Sequence, residues 1–84
     1  MASDVKSKVL ATAKCETKWR KYTLKLIMFQ DYRRRWYRIV KRFKCNPDGE
    51  WHQEALRAPL SEDRGRKELE EIVERVNRTG EAPW

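Results

Sequence analysis

Hydrophobic and polar residues alternate along the first two thirds of the chain. The odd positions from Val5 read Val5, Ser7, Val9, Ala11, Ala13, Cys15, Thr17 and Trp19, while the even positions from Lys6 to Arg20 are mostly charged. Period two with one apolar and one charged face predicts a strand. A helix from Val5 to Lys14 competes, because Ala and Lys favour it. Tyr22 to Phe29 places Tyr22, Leu24, Leu26 and Met28 on one side and Thr23, Lys25, Ile27 and Phe29 on the other, as in a central strand partly covered on both faces. Gln30-Asp31-Tyr32-Arg33 breaks the pattern and predicts a hairpin loop, although it lacks glycine. Arg34 to Cys45 resumes it, with Tyr37, Ile39, Phe43 and Cys45 on one face and Arg34, Trp36, Arg38, Val40, Arg42 and Lys44 on the other. Arg35 and Lys41 interrupt the first of these faces. Asn46-Pro47-Asp48-Gly49 is the strongest turn signal, and Glu50 to Leu56 predicts a fourth, shorter strand.

The period then changes. Pro59 cannot donate to a ladder and restricts Ala58 before it, so Arg57 to Leu60 is a connector. Ser61 offers an N-cap, with Glu62 and Asp63 suited to the positive end of a helix. Leu69, Ile72, Val73 and Val76 recur at i, i+3, i+4 and i+7, the stripe of a helix lying on a sheet. Gly65 weakens the first turn, Glu71 and Arg75 form an i,i+4 pair, and Gly80 closes the helix. The expected fold is α+β, a four-stranded antiparallel sheet with one C-terminal helix packed on one face (ββββα), spanning residues 1–84 as a single domain. The other sheet face is left for a partner.

Charge is distributed unevenly over this order. Residues 1–45 carry fourteen Lys and Arg against three acids, a local net of +11, and residues 46–84 carry six against ten, a net of −4. Such a split predicts that one face meets a polyanion. Between Lys18 and Lys44 the cations alternate with Trp19, Tyr22, Phe29, Tyr32, Trp36, Tyr37 and Phe43, and cations for phosphates with rings for bases or sugars compose a nucleic-acid surface. The acidic helix is unsuited to reading a major groove. No run of about 18 apolar residues suggests a membrane span, and Met1 to Asp4 lacks the apolar stretch of a signal peptide. Cys15 and Cys45 with His52 are too few ligands for a structural zinc site. Two free thiols in a reducing, intracellular compartment are the expected state. No nucleophile–base pair, glycine-rich phosphate loop or metal cluster is legible, so neither catalysis nor a cofactor is expected.

The order of motifs resembles a WGR domain, the module found in poly(ADP-ribose) polymerases and in some small bacterial proteins, from about Val9 to Trp84. Tyr22-Thr23-Leu24-Lys25-Leu26-Ile27 is similar to the family's Y-x-L-Q-L-L strand, and Arg35-Trp36-Tyr37-Arg38-Ile39 to its R-Y-W-x-F strand. Leu60-Ser61-Glu62-Asp63 resembles the start of its long helix, and Arg78-Thr79-Gly80-Glu81-Ala82-Pro83-Trp84 its K-T-G-N-x-W ending. Where the family has Trp-Gly-Arg, this chain reads Arg42-Phe43-Lys44. The resemblance implies a non-catalytic module that binds DNA, at ends or breaks, in preference to RNA; in the family the tripeptide that is replaced here helps hold a DNA end near its terminal phosphate and sugar. The architecture also suits other ββββα nucleic-acid binders, such as Whirly-type and PUR-repeat domains.

The candidate contacts are Lys21, Arg33, Arg34, Arg35, Trp36, Arg38, Lys41, Arg42, Phe43 and Lys44. Arg33-Arg34-Arg35 at a hairpin tip suits bidentate bonds to phosphate. Trp36 shares a strand face with Arg34, Arg38 and Arg42, where it either stacks on a base or packs under the helix; Phe43 is either core or platform. A different class of function fits the same charge: a small adaptor or inhibitor docking its basic face on an acidic protein surface.

Overall fold

The computed structural model describes residues 4–44 and 49–84. Four strands, β1 (Lys6–Glu16), β2 (Lys21–Gln30), β3 (Arg35–Lys44) and β4 (Trp51–Arg57), are followed by one helix, α1 (Glu62–Thr79). The sheet is antiparallel throughout and its spatial order, β1-β2-β3-β4, is that of the chain. This is the expected α+β fold, and α1 lies across β1, β2 and β3 on one face. Residues 45–48 lie outside the described residues, and with them Cys45 and most of the expected Asn-Pro-Asp-Gly turn.

The alternation in β2 and β3 decides which side chains meet the helix. Leu24, Leu26 and Ile39 point towards it and pack with Leu69, Ile72 and Val76 into one core, in which Leu24, Leu26, Ile39 and Val76 are fully buried. Residues directly opposite in an antiparallel pair share a face, so the register Leu26↔Ile39 and Leu24↔Lys41 puts Lys41 on the helix side too. Val73 is only partly buried against this core.

Strand β1 departs from the simple pattern. Ala11, Ala13 and Cys15 pair with Leu26, Leu24 and Tyr22 on the helix side, but a register shift falls between Val9 and Ala11. The extra residue, Leu10, reverses the parity, so Val9 and Ser7 pair with Ile27 and Phe29 on the opposite face. The expected single apolar face of Val5 to Trp19 is therefore split in two. Arg66 of α1 donates from Nη2 to the Leu10 carbonyl at 3.3 Å, which ties the irregular backbone to the helix. A second shift, between Ile39 and Val40, leaves Leu56 of β4 as the extra residue, partly buried against the core.

The helix ends follow the expected chemistry. The Ser61 hydroxyl accepts from the Arg64 N–H at 3.2 Å, and Gly80 adopts the left-handed conformation with φ 70° while its N–H bonds the Val76 carbonyl. Ion pairs join Glu62 to Arg66 at 2.9 Å and Arg64 to Glu68 at 3.7 Å. The expected Glu71–Arg75 pair is not formed within 4.0 Å; such exposed pairs contribute little to stability.

Gly65 has a role that helix propensity does not reveal. It is buried, and a Cβ built on it would lie 2.6 Å from Leu26 Cδ1 and 3.2 Å from Pro59 Cγ. The missing side chain is what lets the first turn of α1 approach the sheet. Ala in place of Gly in a helix ordinarily gains up to about 1 kcal/mol. Here overpacking against a fully buried leucine opposes it at about 1–3 kcal/mol. Gly65→Ala is therefore expected to lower the thermal unfolding midpoint, and a raised midpoint would contradict this packing.

Candidate nucleic-acid interface

The face of the sheet away from α1 gathers cations from three strands. Thr23, Lys25, Ile27 and Phe29 of β2 lie opposite Arg42, Val40, Arg38 and Trp36 of β3. Lys14 lies opposite Thr23 and Thr12 opposite Lys25 across β1. Gln53, Ala55 and Trp51 continue the rows from Arg42, Val40 and Lys44 into β4. Lys25 thus sits diagonally between Arg38 and Arg42, at roughly 7–8 Å from each along the ladder. Lys21 and Lys44 extend the charge towards one end, where Glu16 is the single acid of the face in β1. The floor is apolar and covered: Ile27 is 9% and Val40 6% exposed although neither faces the helix core. The aliphatic stems of the flanking lysines and arginines account for such burial while leaving their charged heads in water.

Rings mark both ends of this face. Phe29 and Trp36 stack across β2 and β3, with centroids 5.7 Å apart and planes 12° from parallel. The Arg34 guanidinium lies 4.7 Å from the Trp36 ring. At the other end Trp51, 53% exposed, has Arg42 and Lys44 each 4.7 Å from its centroid. Cation–ring contacts of this kind hold long side chains over the surface and contribute about 0.5–1 kcal/mol each when exposed.

The β2–β3 turn holds its shape without glycine because of Asp31. Its Oδ1 accepts from the N–H groups of Arg33 at 2.7 Å and Arg34 at 2.8 Å, and its own N–H bonds the Arg34 carbonyl. Those backbone hydrogen bonds, with the Arg34 charge beside them, hold the carboxyl below the ordinary carboxylate value. A depressed folded value means that this contribution is fully present at neutral pH and is lost as pH falls through it. The turn leaves Tyr32 86% exposed, with the Arg33 guanidinium 5.2 Å from its ring.

Six of the candidate residues therefore come together on or at the rim of the open face: Lys21, Arg34, Trp36, Arg38, Arg42 and Lys44. Trp36 stacks on Phe29 and does not pack under the helix. Arg38 also bonds its neighbour, donating from Nη1 to the Tyr37 carbonyl at 2.7 Å. Arg33 sits at the turn tip, and Arg35, of the opposite parity, donates to Gln30 Oε1 at 3.3 Å. Lys41 and Phe43 are placed on the helix side. The Lys41 ammonium is 3.3 Å from Glu54 and is surrounded by the rings of Tyr22, Phe43 and Trp84 at 5.7, 5.2 and 5.0 Å. Phe43 is 7% exposed, tilted against Tyr22 at 5.6 Å and stacked on His52 at 5.5 Å. A buried lysine paired to an acid and walled by rings holds sheet, edge strand and C-terminus together and is closed to a ligand.

Lys14, Lys25, Phe29 and Trp51 belong to the open face although they were not among the candidates. Strict alternation from Lys25 through Phe29 was the available signal for two of them. Lys14 and Trp51 needed the cross-strand register.

Among the described residues no group of three His, Cys, Asp or Glu is placed to hold a metal ion, and no helix is long and apolar enough to cross a membrane. Cys15 is buried and free, and burial raises its thiol pKa, which favours the unreactive protonated form. No family model matches the chain, and no curated protein or solved structure matches it either.

Proposed function

We propose that this chain is a non-catalytic nucleic-acid-binding module that takes its ligand on the open face of the sheet, with DNA favoured over RNA. The observation that carries the reading is the coincidence, on one uncovered face, of Lys14, Lys25, Arg38 and Arg42 with the half-buried ring of Trp36 and the exposed ring of Trp51. Phosphates are recognised by charge and by the guanidinium fork; bases and sugars are recognised by stacking. An acidic protein surface would use the cations but gives no comparable role to the rings that stand with them at both ends of the face. The acidic residues of α1 lie on the covered side, so they do not screen the face. The preference for DNA rests on the resemblance to the WGR domain.

Salt dependence is the direct test. If Lys14, Lys21, Lys25, Arg38, Arg42 and Lys44 each neutralise one phosphate, the slope of log K against log salt should be about −4 to −5. Affinity for a short oligonucleotide should then fall roughly 300- to 2,000-fold between 50 and 200 mM salt. Fluorescence anisotropy of a labelled oligonucleotide measures this. Absent binding, or binding indifferent to salt, would sink the reading, and a protein partner retained after nuclease treatment would favour the adaptor.

A further inference from the structure

Resting on that reading, we infer that the ligand of the open face is an unpaired strand, whose bases stack at two separate stations joined by the cationic row. The first station is the Phe29–Trp36 pair, a two-ring ledge with planes 12° apart. The second is Trp51, 53% exposed on the edge strand. Trp51 lies opposite Lys44 in the ladder. The stations are therefore separated by the eight steps from Trp36 to Lys44 of β3, about 26 Å at the rise of a strand. That length suits a short single-strand site, at the lower end of the roughly 4–16 nucleotides that one OB-fold domain covers.

Two further observations favour unpaired bases. In a duplex the base faces are stacked inside, and only base edges are offered in the grooves. Rings lying on a sheet face cannot reach them. Groove reading requires an element that protrudes into the groove, and α1 is on the opposite side of the sheet and carries acids. Between the stations Lys25, Arg38 and Arg42 alternate across β2 and β3, a zigzag that an extended phosphate backbone can follow. The guanidinium groups of Arg34 and Arg42 lie over the rings of Trp36 and Trp51, each 4.7 Å from the centroid, so a base that stacks on either ring takes the place of a mobile surface cation and leaves it free to meet the adjoining phosphate.

The test uses the full chain with oligo-dT of 3, 5, 8 and 12 nucleotides, oligo-rU of 8 nucleotides and a blunt 20-base-pair duplex, all at one salt concentration. The unpaired oligonucleotides of 8 and 12 should bind at least about tenfold tighter than the duplex per site. The 3-mer should be markedly weaker, because it cannot span both stations. The dT and rU arms separate DNA from RNA, and tighter binding of either than of duplex supports the inference. Trp36→Ala and Trp51→Ala should each weaken 8-mer binding by about 5- to 150-fold, the worth of one base stack. Trp36→Phe should restore most of the loss. Duplex binding equal to or tighter than single-strand binding would overturn the inference while leaving the proposed function standing. So would an 8-mer affinity unchanged in both tryptophan variants, with circular dichroism confirming the fold. Failure of every oligonucleotide to bind would overturn both.

Discussion

Phe43→Ala is expected to lose stability and to leave intrinsic affinity unchanged. Phe43 is 7% exposed on the helix side of the sheet, where its ring touches Tyr22, His52, Arg20 and Lys41. Truncating a buried phenylalanine costs about 3–5 kcal/mol. Here the cost includes one of three ring walls around the Lys41 ammonium, which keeps Glu54 at 3.3 Å and the rings of Tyr22 and Trp84. Small domains hold only about 5–15 kcal/mol in total, and each kcal/mol moves the midpoint of a domain this size by roughly 4–8 °C. The midpoint should therefore fall by about 12–40 °C. Affinity measured at a temperature where the variant is still folded should stay within about twofold, because no atom of Phe43 reaches the open face. A variant that kept its melting temperature but bound tenfold more weakly would place Phe43 in the interface.

The contrast between Phe43 and its neighbours shows where sequence reading succeeds. Arg42 and Lys44 alternate with Phe43, and period two alone put the cations on one side and the ring on the other. The same rule separated Leu24 and Leu26 from Lys25 and Ile27. The helix stripe and its caps at Ser61 and Gly80 were legible because each end has its own chemistry. Lys41 was not legible as a buried cation. A lysine in an apolar run reads as a solvent-facing interruption, and only the register Lys41↔Glu54, with Trp84 returning from the far end of the chain, supplies partners for its charge. A charge so enclosed needs such partners, since burying it unpaired is costly.

Two further features escaped for a related reason. The parity reversal at Leu10 depends on where β2 pairs, not on any signal within β1 itself, so the first half of the strand was assigned to the wrong face. Gly65 reads locally as a weak helix residue, yet the distance between α1 and Leu26 requires it. Whether Trp36 lay under the helix or on the open face was likewise a question of topology: either face of β3 has aromatic and aliphatic residues, and only the placement of α1 over Leu24, Leu26 and Ile39 decides it.

The largest effect on binding should come from reversing the charge at the centre of the open face. Arg38 and Arg42 stand two positions either side of Val40, flanking Lys25 across the ladder, and both lie between Trp36 and Trp51 on the open face. At 0.1 M salt each neutralised phosphate contributes about 0.7–0.9 log units through counterion release. Losing both contacts alone should weaken binding by about 25–60-fold. In a variant carrying Arg38→Glu and Arg42→Glu, two carboxylates also repel the backbone at the same points, so the loss should exceed about 100-fold and the salt slope should fall by about two units. The fold should persist with a lowered midpoint, because both side chains are only half-buried and neither joins an ion pair among the described residues, while their stems no longer cover Ile27 and Val40. Trp84 packs on the helix side against Tyr22, so preserved near-ultraviolet circular dichroism would report an intact interior. The control is Lys41→Met, which removes a cation of equal formal charge from the covered side and should leave the salt slope unchanged. If the double reversal bound as tightly as the parent chain, with the same slope, the open face would not be the phosphate site.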